Sequence, residues 1–297
     1  MSVSERKPVI EPDPARLAKI YRLWDELADM DAAHIDEGRN RLLQGLCELA
    51  GAHNASWVGA VRMGEPLPAD PVLGWRPRLI HHLHPTVTLD DAAEKQRRML
   101  ETGQVDISTA RNVAGAGHFR TNRLADLVPP EWFQGDYYKT YYLAHNHHDA
   151  IWAGVPINAD TEIYFGIYRH TAEQGFSTLD RDIVAYALRG LRWFFRQQML
   201  SHGLLLTTSP LTRTEHAVLQ GLLQGLPEKQ IAANVGQSPN TTHEYVTRIF
   251  RKYAVRNRSA LMALWLGQGP AQAVPAPGKP LAPSGASPVD PGKTAGL

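Results

Sequence analysis

Cysteine is nearly absent from this chain: one residue, Cys47, in 297. A lone thiol excludes an intrachain disulfide framework and a cysteine-based zinc site, and suits a reducing compartment. Long apolar runs are missing too. The most apolar stretches, Leu204–Leu206 and Leu261–Leu266, fall far short of a membrane span. The opening MSVSERKPVIEPDP is polar and carries no apolar core of the signal-peptide kind, so a cytoplasmic location is expected. Net charge is scarce as well, at +1 overall, which taken alone argues against a nucleic-acid partner.

What is present is unevenly spread. Between Ser209 and Gly267 there are seven Lys and Arg against three acids, and five of the seven lie between Arg248 and Arg258. A body of acidic balance with a small basic end is the electrostatic plan of a DNA-binding module on a regulatory domain.

Periodicity divides the chain further. Residues 1–12 are polar and proline-bearing, 268–297 are rich in proline, glycine and alanine, and both are expected to be disordered. Residues 13–200 are expected to form an α+β sensor or dimerisation domain of the GAF/PAS-like kind, 201–208 a linker, and 209–267 an all-α domain. Helical spacing predicts helices over Pro14–Met30, Asp36–Ala50, Leu89–Leu100 and, in one piece, Thr178–Met199. Strands are predicted over Ala55–Met63, Val72–Leu83, Ala150–Pro156 and Glu162–Tyr168. Ile163, Phe165 and Ile167 alternate there with Tyr164, Gly166 and Tyr168, the period of a pleated surface.

The segment from Leu211 to Trp265 is punctuated residue by residue. Thr212 and Glu215 make a capping box. Gly225 and Gly236 stand where left-handed helix ends are needed. Ser238-Pro239 is a cap followed by a first-turn proline. Four short helices follow, and the second and third, joined by a tight turn, have the layout of a helix-turn-helix.

This segment resembles the LuxR-type (FixJ/NarL-type) helix-turn-helix family. The matches are LTxxE at Leu211–Glu215, G-L-x-x-K-x-I-A at Gly225–Ala232, S-P-x-T at Ser238–Thr241, V-x-R-I-F-R-K at Val246–Lys252 and V-R-N-R-x-x-L at Val255–Leu261. The resemblance implies a four-helix domain whose third helix reads bases with His243, Glu244 and Thr247. It implies phosphate contacts from Asn240, Thr241, Arg248, Arg251 and Lys252. Pro227, Thr242, Tyr245, Tyr253 and Ala254 depart from the family's usual residues. Glu244 is suited to a cytosine amino group.

The early chain reads as helix followed by helix rather than the alternating βα units of a phosphorelay receiver, so phosphorelay control is not expected, and Gly115-Ala116-Gly117 lacks the strand-then-helix setting of a nucleotide loop. No catalytic residue is identified, and an enzyme is not expected. Aromatics cluster in the middle of the chain, and Trp57, Tyr138, Tyr142 and Trp152 are taken as effector-binding residues. The histidine runs HHLH (His81–His84) and HNHHD (His145–Asp149) lack the spacing that converges ligands on one ion, since alternation sends His81 and His82 to opposite faces. Neither metal nor cofactor is therefore expected. The function expected is sequence-specific transcriptional regulation. The partners are double-stranded DNA, a small-molecule effector, a second copy of the chain and RNA polymerase, with no membrane. The alternative is a protein–protein adaptor whose helix-turn-helix no longer reads bases.

Overall fold

The computed structural model describes residues 13–64, 70–85, 98–99, 105–170 and 175–267. The two segments expected to be disordered, and all but Arg98 and Met99 of the helix expected over Leu89–Leu100, lie outside these residues.

Helix α1 (Pro14–Ala28) starts where Asp13 accepts hydrogen bonds from the amides of Ala15 and Arg16, and it buries Ile20, Leu23 and Leu27. Helix α2 (Ile35–Ala50) ends on Gly51 at φ 61°, a left-handed cap that a Cβ would oppose. Then come β1 (Asn54–Arg62), β2 (Trp75–His82), α3 (Ile107–Val113), β3 (Arg120–Arg123), α4 (Leu124–Leu127), α5 (Asp136–Tyr141), β4 (Asp149–Asn158) and β5 (Thr161–Arg169). The strands make one antiparallel sheet in the order β2-β1-β5-β4-β3.

Alternation gives this sheet two apolar faces. Ala55, Trp57, Ile151, Ala153, Ile163, Phe165 and Ile167 face α1 and α2 and the two helices that follow β5, in one continuous core. The opposite face carries Ala150, Trp152 and Tyr168 against Leu124, Leu127, Tyr138 and Tyr142, and Ala60 and Tyr164 against Val113. Helices on both faces of an antiparallel sheet make an α+β domain, as the hairpin and the flanking helical periods imply.

The long helix expected over Thr178–Met199 is in fact two, α6 (Thr178–Arg189) and α7 (Arg192–Ser201). The break falls at Gly190, where a Cβ would lie 2.8 Å from Cζ2 of Trp24. The same indole donates to the Ala187 carbonyl at 2.8 Å, so α1 packs directly on the interruption. Heptad-like spacing runs through this point, and only the packing of Trp24 reveals the stop.

Helices α8 (Arg213–Leu223), α9 (Glu228–Val235), α10 (Pro239–Lys252) and α11 (Arg258–Trp265) complete the fold. The connector before them is no loose tether. Leu204 and Leu205 are buried, and the Leu211 amide donates to the His202 carbonyl at 2.9 Å. The Tyr253 hydroxyl donates to the Leu200 carbonyl at 2.6 Å, and Arg196 donates to that of Leu264 at 3.2 Å. The core of the C-terminal helices therefore continues into that of the sheet domain.

Candidate nucleic-acid interface and sensor face

Helix α10 owes its position to its apolar side. Thr242, Val246 and Ile249 are buried, as is Tyr253 just beyond the last turn. Its start is fixed by Ser238, whose hydroxyl accepts from the Thr241 amide at 3.1 Å, and by Pro239 in the first turn. The turn from α9 runs through Gly236 at φ 66°. With one side locked, His243, Glu244, Thr247, Arg248 and Arg251 are all exposed on the other. Asn240 is exposed at the helix start, and Thr241 is half-buried with its hydroxyl 2.8 Å from that of Ser238. The imidazole of His243 lies 3.0 Å from the Glu228 carboxylate, tying α10 to α9. Arg248 lies over the Tyr245 ring, 5.1 Å from its centre.

The five basic residues from Arg248 to Arg258 divide into two kinds. Arg248, Arg251 and Arg256 are exposed. Lys252 instead donates at 2.7 Å to Glu215, whose side chain is only 1% exposed. Arg258 donates to the carbonyls of Leu222 and Leu226, both at 2.8 Å, closing the end of α8. Three charges thus face solvent and two hold the module together. That division was invisible in the basic run itself.

On the sheet domain, three of the four aromatic residues chosen from sequence come together. Tyr138 and Tyr142 have ring centres 5.7 Å apart, each 5.4 Å from Trp132. Trp152 meets Tyr168 edge-on at 5.8 Å on the same face. The Tyr138 hydroxyl donates to the His148 carbonyl at 2.8 Å. Burial pushes up the pKa of Tyr138, Tyr142 and Tyr168, so all three remain neutral hydroxyls. Trp57 stands apart. It lies on the other face, fully buried, its indole donating to Gln198 at 2.9 Å beneath the Arg39 guanidinium. Trp132, part of the aromatic cluster in the sequence but not among the four chosen residues, and Tyr168, which was missed, belong with the aromatic group. The phase of Tyr168, opposite to Ile163, Phe165 and Ile167, was the available signal.

Where the two domains meet, Asp36 of α2, His202 after α7 and His216 of α8 place three ligand-type atoms within 4.8 Å of one another. They do not suit a metal ion. Arg39 already places a guanidinium nitrogen 3.0 Å from both the Asp36 carboxylate and the His202 Nε2. The two imidazoles are stacked at 4.5 Å with planes 17° apart, so their in-plane lone pairs run side by side rather than converge. The group is a polar clasp, and His216 also bonds the Ser201 hydroxyl at 3.0 Å. Burial pushes the Asp36 carboxyl up, but the hydrogen bond to His202 and the charge of Arg39 outweigh it and hold that carboxyl well below the usual carboxylate range.

Two short helices at a tight left-handed turn, the second with a locked apolar side and a free polar side, define a helix-turn-helix module. Residues 209–265 match the family model for bacterial regulatory proteins of the luxR family, GerE. The C-terminal module is therefore a LuxR-type helix-turn-helix domain. No curated protein matches the chain. Among solved structures, the VqsR LBD domain from Pseudomonas aeruginosa is similar at a TM-score of 0.41 and 14% identity, over 63% of this chain and 98% of that one. SdiA in complex with octanoyl-rac-glycerol is similar at 0.44 and 12%, over 89% and 99%. Escherichia coli SdiA in another crystal is similar at 0.39 and 13%, over 85% and 97%.

Proposed function

We propose that this protein is a transcriptional regulator that reads duplex DNA through α10 and is governed by a small-molecule effector on the aromatic face of its sheet. The observation that carries the reading is the division of α10 into a locked apolar side and an exposed polar side. His243, Glu244 and Thr247 are the base-reading residues, and Asn240, Thr241, Arg248 and Arg251 the phosphate contacts. Lys252 is left out of that set because its ammonium neutralises a buried carboxylate. The chain acts as a dimer on paired half-sites in the cytoplasm and meets RNA polymerase at the promoter. A shift in the sheet domain reaches the DNA reader through α7 and the connector, because Tyr253, His216 and Leu211 are bonded directly to that stretch.

A partly apolar ligand with one or two hydrogen-bonding groups suits the Tyr138, Tyr142 and Trp152 face, where neutral hydroxyls and an indole lie among rings. Genomic footprinting followed by mobility shifts on the recovered sites tests the reading. Arg248→Ala is expected to weaken every site alike and to reduce the log–log salt slope by about 0.9 for each phosphate it no longer neutralises. Thr247→Ala is expected to reorder the sites. A protein that ignores all duplexes at low ionic strength overturns the proposal and favours the adaptor.

A further inference from the structure

The histidine runs remain unused by the DNA-reading function, and the fold gathers most of them. β1 and β4 begin, and β2 and β5 end, at the same end of the antiparallel sheet. That end collects His53, His82, His84, His145, His147, His148 and His170, from four places in the sequence. The ring centres of His53 and His147 are 5.4 Å apart, and those of His53 and His170 are 5.1 Å apart. His145 lies 6.1 Å from His147. The charges of His84 and His148 bear on His53, and those of His82 and His145 on His147.

Two features separate this cluster from a merely packed one. Nε2 of His147 is buried with no hydrogen-bond partner among the described residues, and the whole of His147 is only 8% exposed. Nδ1 of His53 is buried and unpaired too, with the Tyr168 carbonyl acting on its ring. A buried imidazole nitrogen left unpaired is costly unless something absent from the protein chain occupies it. The ring spacing is also informative. With a zinc–nitrogen bond of about 2.1 Å and tetrahedral angles, two imidazoles on one ion have centres about 5 Å apart. The ring planes here are tilted by 55° and 79°, unlike the stacked pair at the domain interface. The nitrogens of the three rings do not yet lie within 4.8 Å of one another, so a rotation of the exposed His170 side chain is needed to close the set.

We propose that this end of the sheet is a binding site for a first-row divalent transition metal of the imidazole-preferring kind, such as Zn²⁺ or Ni²⁺. His53 and His147 are the resident ligands. His170 is exposed, so its side chain turns freely to complete the set, and His84, also exposed, is the reserve. Three histidines with a position left for water or another donor are an established zinc arrangement. Tyr168 stacks on His147 at 4.0 Å with planes 4° apart. Metal loading therefore fixes one wall of the aromatic face, which makes the ion a second input to the same domain.

The test is calorimetric titration of the full chain, stripped by chelator, with Zn²⁺ and with Ni²⁺. The expected result is a site that His53→Ala/His147→Gln weakens by about a hundredfold or more, while His202→Gln/His216→Gln leaves it intact. Should the first double variant fail to fold, the exposed-residue variants His170→Ala and His84→Ala are read instead. His170→Ala must lower affinity, and Zn²⁺ must shift the ring NMR signals of His53 and His147 in the wild type. Absence of binding to the wild type, unchanged affinity in the histidine-end variants, or loss only in the His202/His216 variant would each overturn the proposal. None of these readouts involves DNA, so its failure leaves the DNA-reading proposal untouched.

Discussion

Replacing Lys252 by methionine separates two readings of one basic residue. As a phosphate contact, its loss would cut DNA affinity and leave stability alone. The structure requires the reverse. The Glu215 carboxylate is 1% exposed and takes two hydrogen bonds, from Lys252 at 2.7 Å and from the Thr212 amide at 2.9 Å. Methionine keeps the stem that covers it but leaves an uncompensated charge in a core. Removing one partner of a well-buried pair costs about 3–5 kcal/mol; Lys252 is itself 30% exposed, so the lower end, about 3 kcal/mol, applies. For a chain of this size that is about 6–12 °C in melting temperature. The pH dependence adds a check. Burial pushes the Glu215 carboxyl up, but Lys252, Thr212 and their hydrogen bonds outweigh it and lower the value from 4.5. The pair's stabilisation is thus present above 4.5 and fades as pH falls through the lowered value. In Lys252→Met the bare carboxyl protonates more readily, so the gap between variant and wild type should narrow in acid. Thermal melts from pH 7 down to about 4 measure this. A variant that melts with the wild type at pH 7 yet loses a salt-dependent share of DNA affinity would refute the reasoning.

Ala254 holds φ 52°, a left-handed conformation that costs an L residue about 1 kcal/mol or more, so Ala254→Gly is expected to raise stability by about 0.5–1 kcal/mol in urea titrations. Glu162 is fully buried under Arg120, which also donates to the carbonyls of Asn112, Gly115 and His118; Glu162→Gln should cost about 3 kcal/mol and melt the domain early in calorimetry. Burial, then His202 and Arg39, hold His216 down from 6.5 to about 4, with Asp36 opposing. An unfolded chain takes up that proton first, so stability should fall as pH drops from 6.5 to about 4. His216→Gln should flatten that slope in acid-unfolding curves, and an unchanged slope would remove His216 from the clasp's pH response.

The sequence by itself determined the helix-turn-helix domain almost entirely, because its signals are local. The Thr212–Glu215 box, the Ser238-Pro239 start and the left-handed Gly236 each fix a few torsion angles through neighbours within four residues, and each stands where spacing placed it. Alternation in β5 likewise revealed both faces of the sheet. Tertiary structure alone decided which distant groups meet. It put Trp57 on the opposite face from Tyr138, Tyr142 and Trp152, stopped α6 against Trp24, turned Lys252 inward to Glu215, and brought four scattered histidine segments to one sheet end. These outcomes depend on packing between residues tens to more than a hundred positions apart, and no period or cap in a local stretch of chain encodes such a pairing.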